Sequence, residues 1–160
     1  MNVDANRAAD TRLHAIAGRW RTAGYVIGEP RLPVVGTDVY EVLAGGHFLV
    51  HHVDVTVGNQ PVRAIEIIGE PDGRGGFLAR SFDSEGNVEL MHLTIDDRGV
   101  FHFAGDSEIA PAARPADART AHVRSTLTVA EDRRSMTASW ERSEDGTSWQ
   151  RWMDISFTRD

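Results

Sequence analysis

Apolar and polar residues alternate along most of this chain with the period of two that is typical of β-strands. The alternation begins after Gly18 and is interrupted at short intervals by turn residues. Before it, Ala9, Leu13 and Ile16 have helical spacing, which predicts a short amphipathic helix over about residues 6–17. The alternating part predicts ten strands, at residues 19–27, 37–44, 47–57, 60–69, 76–83, 87–95, 100–105, 121–130, 135–143 and 147–158.

This order of elements predicts an all-β protein. Ten short strands joined mostly by tight turns form an antiparallel up-and-down sheet, and closure of that sheet removes its exposed edges. We therefore expect one antiparallel, roughly ten-stranded barrel over residues 1–160, with an N-terminal helical segment at 1–18 and one long loop at 106–120. A length of 160 residues fits a single domain with its own core.

The turn at Gly58-Asn59 determines which residues face each other across the third and fourth strands. A two-residue turn there places Asp54 opposite Arg63, an ion pair suited to an outer face. The same register collects apolar pairs on the other face, which is then the inner one. Glu66 lies on that inner face, opposite His51. Because a buried carboxylate needs a partner, we expect these two side chains to interact inside the barrel.

The neighbouring hairpins extend this pair into a row. A Gly45-Gly46 turn places Tyr40 opposite His51, and a hairpin centred on Gly73 places Arg80 opposite Glu66. Such a row has the residue types needed for proton transfer, with Glu66 orienting His51 and Tyr40 donating to a carbonyl or oxyanion. Arg80 would bind a carboxylate or enolate. A self-satisfied polar network that only fixes the register explains the same residues.

The C-terminal strands predict a second part of the inner wall. Read as a two-residue turn, Asp145-Gly146 places Trp140 opposite Arg151. The turn near residues 83–87 can close in two ways, and the choice decides which face His92 and His102 occupy. We expect both histidines to face inward. The predicted ligand-binding residues are Arg80, His92, His102, Ser125, Trp140, Trp149, Arg151 and Met153.

Composition excludes several kinds of site. The chain has no cysteine, which excludes disulfides, thiolate nucleophiles and cysteine zinc sites. All 17 basic residues are arginine, so no lysine is present to form a Schiff base. A net charge of −7 without a basic cluster argues against nucleic acid as a partner. His51 and His52 are adjacent on one strand and point to opposite faces, so we predict neither a metal site nor a cofactor.

Three stretches resemble a known family: "AGRWRTAGYVIG", "IEIIGEPDGRGGFLARSFDSEGN" and "SMTASWERSEDGTSWQRWMDISFTR". They are similar to bacterial proteins of the DUF1579 type, within the calycin-like group of lipocalins and fatty-acid-binding proteins. The resemblance implies a barrel with an internal cavity. The Gly18-Arg19-Trp20 element is also similar to nitrobindin, a ten-stranded barrel that binds haem through a histidine late in its chain. Here the last histidine is His122, before the final two strands.

Three functions follow as expectations. The first is binding of a small, mainly apolar or aromatic molecule whose acidic or carbonyl group is held in the barrel interior. The second is a cofactor-independent acid–base enzyme, an isomerase, cyclase or dehydratase, and the third is haem binding. Since the N-terminus has no apolar signal segment and no stretch reaches the roughly 20 apolar residues of a membrane helix, we expect a cytoplasmic protein without a membrane partner. Outward Phe48, Val50, Ile65 and Ile67 predict a homodimer.

Overall fold

The computed structural model describes residues 8–105 and 122–160 and shows one closed antiparallel barrel. Each strand pairs with its neighbours in sequence, and β1 closes the barrel against β10. The predicted all-β, ten-stranded barrel is therefore confirmed, whereas the predicted loop at 106–120 lies outside the described residues. The strands are β1 (Gly18–Val26), β2 (Leu32–Val42), β3 (Leu49–Val57), β4 (Gln60–Pro71), β5 (Phe77–Asp83), β6 (Val88–Ile95), β7 (Phe101–Gly105), β8 (His122–Val129), β9 (Ser135–Ser143) and β10 (Gln150–Arg159).

A short 3-10 helix, Thr11–Ile16, precedes the barrel and covers one of its ends. The side chain of Asp10 caps it by accepting a hydrogen bond from the amide of Arg12. Leu13 and Ile16 are fully buried, and the indole of Trp20 donates to the Ile16 carbonyl at 2.9 Å. The predicted helix is thus present but shorter, and its first residues lie outside the described range. Among the described residues, no helix has the length and apolar character of a membrane span.

The two ends of the barrel interior differ in packing. At the end covered by the helix, where β1 begins and β10 ends, the largest inner side chains are almost completely buried. They are Leu13, Ile16, Trp20, Leu49, Ile68, Leu93, Phe101 and Met136. Toward the other end, Val34 and Val55 are also buried, whereas several apolar inner residues are only partly buried: Val26, Val53, Val57, Val123, Trp140 and Met153.

Most of the predicted register is present. Asp54 pairs with Arg63 across β3 and β4, and their side chains lie 3.3 Å apart on the outer face. Between β8 and β9, Arg124 pairs with Glu141 at 2.8 Å, also on the outside. These pairings place the buried apolar residues of both hairpins, such as Ile68 and Leu127, on the inner face, as the alternation predicts.

Two β-bulges change the register that simple turns would give. The first lies between Ile68 and Glu70, where Gly69 has φ +130. A Cβ on Gly69 would lie 2.4 Å from the carbonyl oxygen of His47, so a side chain does not fit there. The second bulge lies between Arg151 and Met153 in β10. Each bulge adds one residue to its strand and changes which residues oppose each other.

Candidate functional site

A cluster of charged side chains lies inside the barrel on β2, β3 and β4. The imidazole of His51 contacts two carboxylates: its Nε2 is 2.7 Å from Oδ1 of Asp38, and its Nδ1 is 3.0 Å from Oε1 of Glu66. The second oxygen of Asp38 accepts a hydrogen bond from the hydroxyl of Thr22. The side chains of Asp38, His51 and Glu66 are 7%, 10% and 15% exposed. This is a buried network in which each member contacts at least one other.

The strand register brings this cluster together. Tyr40 pairs with His51, and His51 pairs with Glu66, as the two glycine-containing turns predict. Sequence reasoning missed Asp38 and Thr22. Asp38 lies two residues before Tyr40 on the same strand and therefore on the same face, so alternation alone was sufficient to find it. Thr22 lies on β1, whose register with β2 no turn signal had indicated.

The surroundings of His51 favour its cationic form. Burial lowers the pKa of His51, but the hydrogen bonds to Asp38 and Glu66 and the charges of both outweigh this effect and raise it to about 9. The imidazole is therefore protonated at neutral pH and donates from both nitrogens. Two carboxylates against one imidazolium leave the cluster with one net negative charge.

Tyr40 stacks on the imidazole of His51, with ring centroids 3.9 Å apart and planes at 11°. Burial raises the pKa of Tyr40 well above its ordinary value, and the charges of Asp38 and Glu66 raise it further, so the phenol keeps its proton. Its side chain is buried, and its hydroxyl makes no hydrogen bond to any residue that the structure describes. A hydroxyl without a protein partner among the described residues is suited to a water or a ligand.

Arg80 does not join the cluster, contrary to the prediction. The loop between β4 and β5 is longer than predicted, with Pro71 opposite Phe77, and the bulge at Gly69 then shifts the register by one residue. Ser81 therefore pairs with Glu66, and Arg80 pairs with Ile67 on the outer face. There the guanidinium of Arg80 lies 2.9 Å from the carboxylate of Glu70, and both side chains are about half exposed. Beyond Ser81 the row of paired residues continues to Glu89 on β6.

Arg151 is also placed outside the barrel. Asp145 does not form a two-residue turn: its carboxylate accepts hydrogen bonds from the amides of Thr147 and Ser148, which makes a longer loop. Arg151 consequently pairs with Glu141 instead of Trp140, and its guanidinium contacts Asp154. The prediction that Arg151 lies beside Trp140 was therefore wrong.

The two histidines expected to face inward point outward. His92 pairs with Leu78 and lies 3.6 Å from Asp72, while His102 pairs with Thr94 and lies 3.0 Å from Asp96. The turn at residues 83–87 places Ser81 opposite Glu89 and Ala79 opposite Met91. The inner positions next to the two histidines are therefore Met91, Leu93, Phe101 and Phe103. Trp149 is outside as well, under the guanidinium of Arg124 at 3.9 Å.

Three of the predicted ligand-binding residues do meet on the inner face. Ser125 pairs with Trp140 across β8 and β9, and Trp140 pairs with Met153 across β9 and β10. Ser125 is buried, while Trp140 and Met153 are partly buried. Trp140 packs edge to face against Trp152, with centroids 6.3 Å apart. These residues form an apolar wall on a different part of the barrel from the charged cluster.

Comparison with known proteins bears on the fold and not on the chemistry. The crystal structure of Rv2717c from M. tuberculosis is similar, with a TM-score of 0.63 over 95% of this chain and 99% of that chain. The two sequences are 12% identical. No protein-family model matches the chain, and no curated protein matches it. The similarity supports the barrel architecture alone.

The outer face of β3 to β6 carries an apolar patch. Of the residues predicted there, Phe48 and Val50 are partly buried, and Ile65 and Ile67 are exposed. The register joins them to two further exposed side chains, because Ile65 pairs with Phe82 and Phe82 pairs with Val88. We call Val50, Ile65, Ile67, Phe82 and Val88 the outer apolar patch.

Proposed function

We propose that the protein binds a small, mainly apolar molecule in the barrel interior, with the polar group of that molecule directed at Tyr40 and Glu66. The single observation that carries this proposal is the buried cluster of Asp38, His51 and Glu66, with Tyr40 stacked on it. Because burying three ionisable groups has a desolvation penalty, their presence favours a functional role.

The rest of the interior supports an apolar ligand. Opposite the cluster, β8 to β10 present Leu127, Ala138, Trp140, Met153 and Ile155. Trp140 and Met153 keep part of their surface accessible, as do the valines near the same end. An apolar wall facing a few convergent polar groups is the usual composition of a small-molecule site.

We no longer propose that the ligand carries an acidic group. That expectation depended on Arg80 and Arg151, and both guanidinium groups lie on the outer face. A carbonyl or hydroxyl group remains compatible, because the protonated hydroxyl of Tyr40 can donate to an oxygen.

The same cluster favours a second candidate, a cofactor-independent acid–base enzyme such as an isomerase, cyclase or dehydratase. Its proton-transfer groups would be Glu66 and Tyr40, because both nitrogens of His51 are already bonded to carboxylates. His51 would then act by fixing the carboxylate of Glu66. Haem binding has less support. His51 is the only strand histidine that faces inward within ranges 8–105 and 122–160, and it has no free nitrogen for iron.

Membership of the calycin-like, DUF1579-type group and a cytoplasmic location remain proposals. The first rests on the three sequence stretches quoted above and agrees with the barrel architecture. The second rests on the expectation given in the sequence analysis. Fractionation of the native host, followed by immunodetection, tests the location.

Titration with the neutral probe N-phenyl-1-naphthylamine tests the binding proposal. We expect a saturable rise in probe fluorescence and quenching of tryptophan. We also expect the affinity to fall in Trp140→Ala, which removes part of the apolar wall. The matched control is Trp149→Ala, because Trp149 lies outside under Arg124. Absence of saturable binding at any soluble probe concentration, or equal losses in both variants, would overturn the proposal.

A further inference from the structure

The cluster leaves hydrogen-bond acceptors directed at the interior and has already used most of its donors. Both N–H groups of His51 donate to carboxylates, and the hydroxyl of Thr22 donates to Asp38. Glu66 uses Oε1 toward His51, and its Oε2 has no hydrogen-bond partner within the described ranges. The polar atoms left for a ligand are therefore Oε2 of Glu66, an acceptor, and the hydroxyl of Tyr40, which can donate or accept.

The cluster to which these acceptors belong has a net negative charge. The cluster contains two carboxylates and one imidazolium. In the described strands, the arginines at inner-face positions are Arg142 and Arg159, one at each end of the barrel. The guanidinium of Arg142 lies over the ring of Trp152, and that of Arg159 lies over the ring of Trp20. No guanidinium therefore faces the cluster from these strands.

We propose that the barrel interior selects molecules with an apolar body and a cationic, hydrogen-bond-donating head, an amine in particular, and discriminates against carboxylates. This inference rests on the proposed binding function and narrows its ligand class. An ammonium group can donate to Oε2 of Glu66 and to the oxygen of Tyr40, and it neutralises the net negative charge of the cluster. A carboxylate would be a third anion in a poorly solvated interior, where unpaired like charges are costly.

Three ligands with one carbon skeleton test the inference: 1-naphthylmethylamine, 1-naphthalenemethanol and 1-naphthoate. Isothermal titration calorimetry at pH 7 on the full chain measures their affinities. We expect the amine to bind at least about tenfold more tightly than the carboxylate, with the alcohol between them. Glu66→Gln should reduce this ratio by about fivefold or more, since it removes the acceptor charge that the ammonium meets.

The control variant is Glu70→Gln, an exposed acid of the same strand that pairs with Arg80 outside the barrel. It should leave the ratio unchanged. If Glu66→Gln does not fold, the ratio in the wild-type protein decides alone. A carboxylate that binds as tightly as the amine overturns the inference while the binding function stands. Failure of all three ligands and of the neutral probe overturns both.

Discussion

Strands β3 to β5 and strands β8 to β10 both alternate between inner and outer residues, but they differ in which face carries the polar side chains. In the middle of β8 to β10, Leu127, Ala138 and Ile155 face inward, and threonine, serine and arginine face solvent. In the middle of β3 to β5, His51, Glu66 and Ser81 form the inner row.

On the outside of these same strands, isoleucine and phenylalanine are exposed, with 45% of Ile65 and 48% of Phe82 accessible. The ordinary partition of polar and apolar residues is thus reversed in one region of the barrel.

We propose that β8 to β10 serve mainly stability and that β3 to β5 serve recognition. Apolar pairs across β8 to β10 contribute burial energy without a desolvation penalty. The charged row in β3 to β5 contributes less to stability than apolar residues of similar size would, because its ions must be removed from water. We propose that a molecule contacts this row from inside and that a partner covers the outer apolar patch.

The largest expected effect comes from His51→Ala, which leaves two carboxylates facing each other without the imidazolium. We expect a loss of about 3–5 kcal/mol in urea unfolding at pH 7. The comparison variant is Leu127→Ala in β8, with an expected loss of about 2–5 kcal/mol. The two should differ in pH dependence: acid protonates the carboxylates and relieves the first loss, whereas the second is an apolar cavity and does not change. If the loss of stability had the same pH dependence in both variants, the charged inner row in β3 to β5 would be contradicted.

The bulge at Gly69 is the next point of comparison, because it sets the register that places Ser81 opposite Glu66 and turns Arg80 to the outer face. In Gly69→Ala, the new Cβ meets the His47 carbonyl oxygen, and the backbone has positive φ. We expect a loss of about 3 kcal/mol in urea unfolding. The control is Gly73→Ala, which has φ +77 but open space around it and should lose about 1 kcal/mol. Similar losses in both variants would show that the bulge is not fixed by this contact.

These two variants also show why the sequence predicted only part of the site. The Gly45-Gly46 and Gly58-Asn59 turns place Tyr40, His51 and Glu66 correctly, because the residues between the turn and the cluster are regular strand. Arg80 and Arg151 were placed wrongly, because each is separated from its turn signal by a bulge or a longer loop. A bulge adds one residue to a strand, so every residue beyond it moves to the opposite face. The alternation of apolar and polar residues does not reveal where one extra residue lies.

A substitution in the outer apolar patch should change stability less than the variants above and should change the oligomeric state. Because the barrel is closed, it has no free strand edge through which a partner could add a strand. The charges beside the patch, on Arg80 and Glu70, neutralise each other. We propose that a second copy of the chain covers the patch, and we expect a dimer mass by light scattering at micromolar concentration. Ile65→Lys should halve this mass, whereas Thr137→Lys on the outer face of β9 should not. A monomeric wild-type protein would contradict the proposal.

The smallest effect is expected for Arg80→Ala. Its salt bridge to Glu70 is about half exposed, and such pairs contribute roughly 0–1 kcal/mol. We expect a loss of stability of at most about 1 kcal/mol and unchanged affinity for N-phenyl-1-naphthylamine. Urea unfolding and fluorescence titration check the two parts. A clear loss of probe affinity would mean that the guanidinium reaches the interior after all.

The protonation of His51 is the central claim, since the charge of the interior depends on it. Because its folded pKa of about 9 lies above the ordinary 6.5, the stabilisation is complete below pH 6.5 and is lost as pH rises through about 9. Nitrogen-15 NMR of the imidazole, assigned with His51→Gln, measures the charge state directly. The account predicts two protonated nitrogens at pH 7 and titration near pH 9. A bare ring nitrogen at pH 7, with titration at or below 6.5, would contradict it.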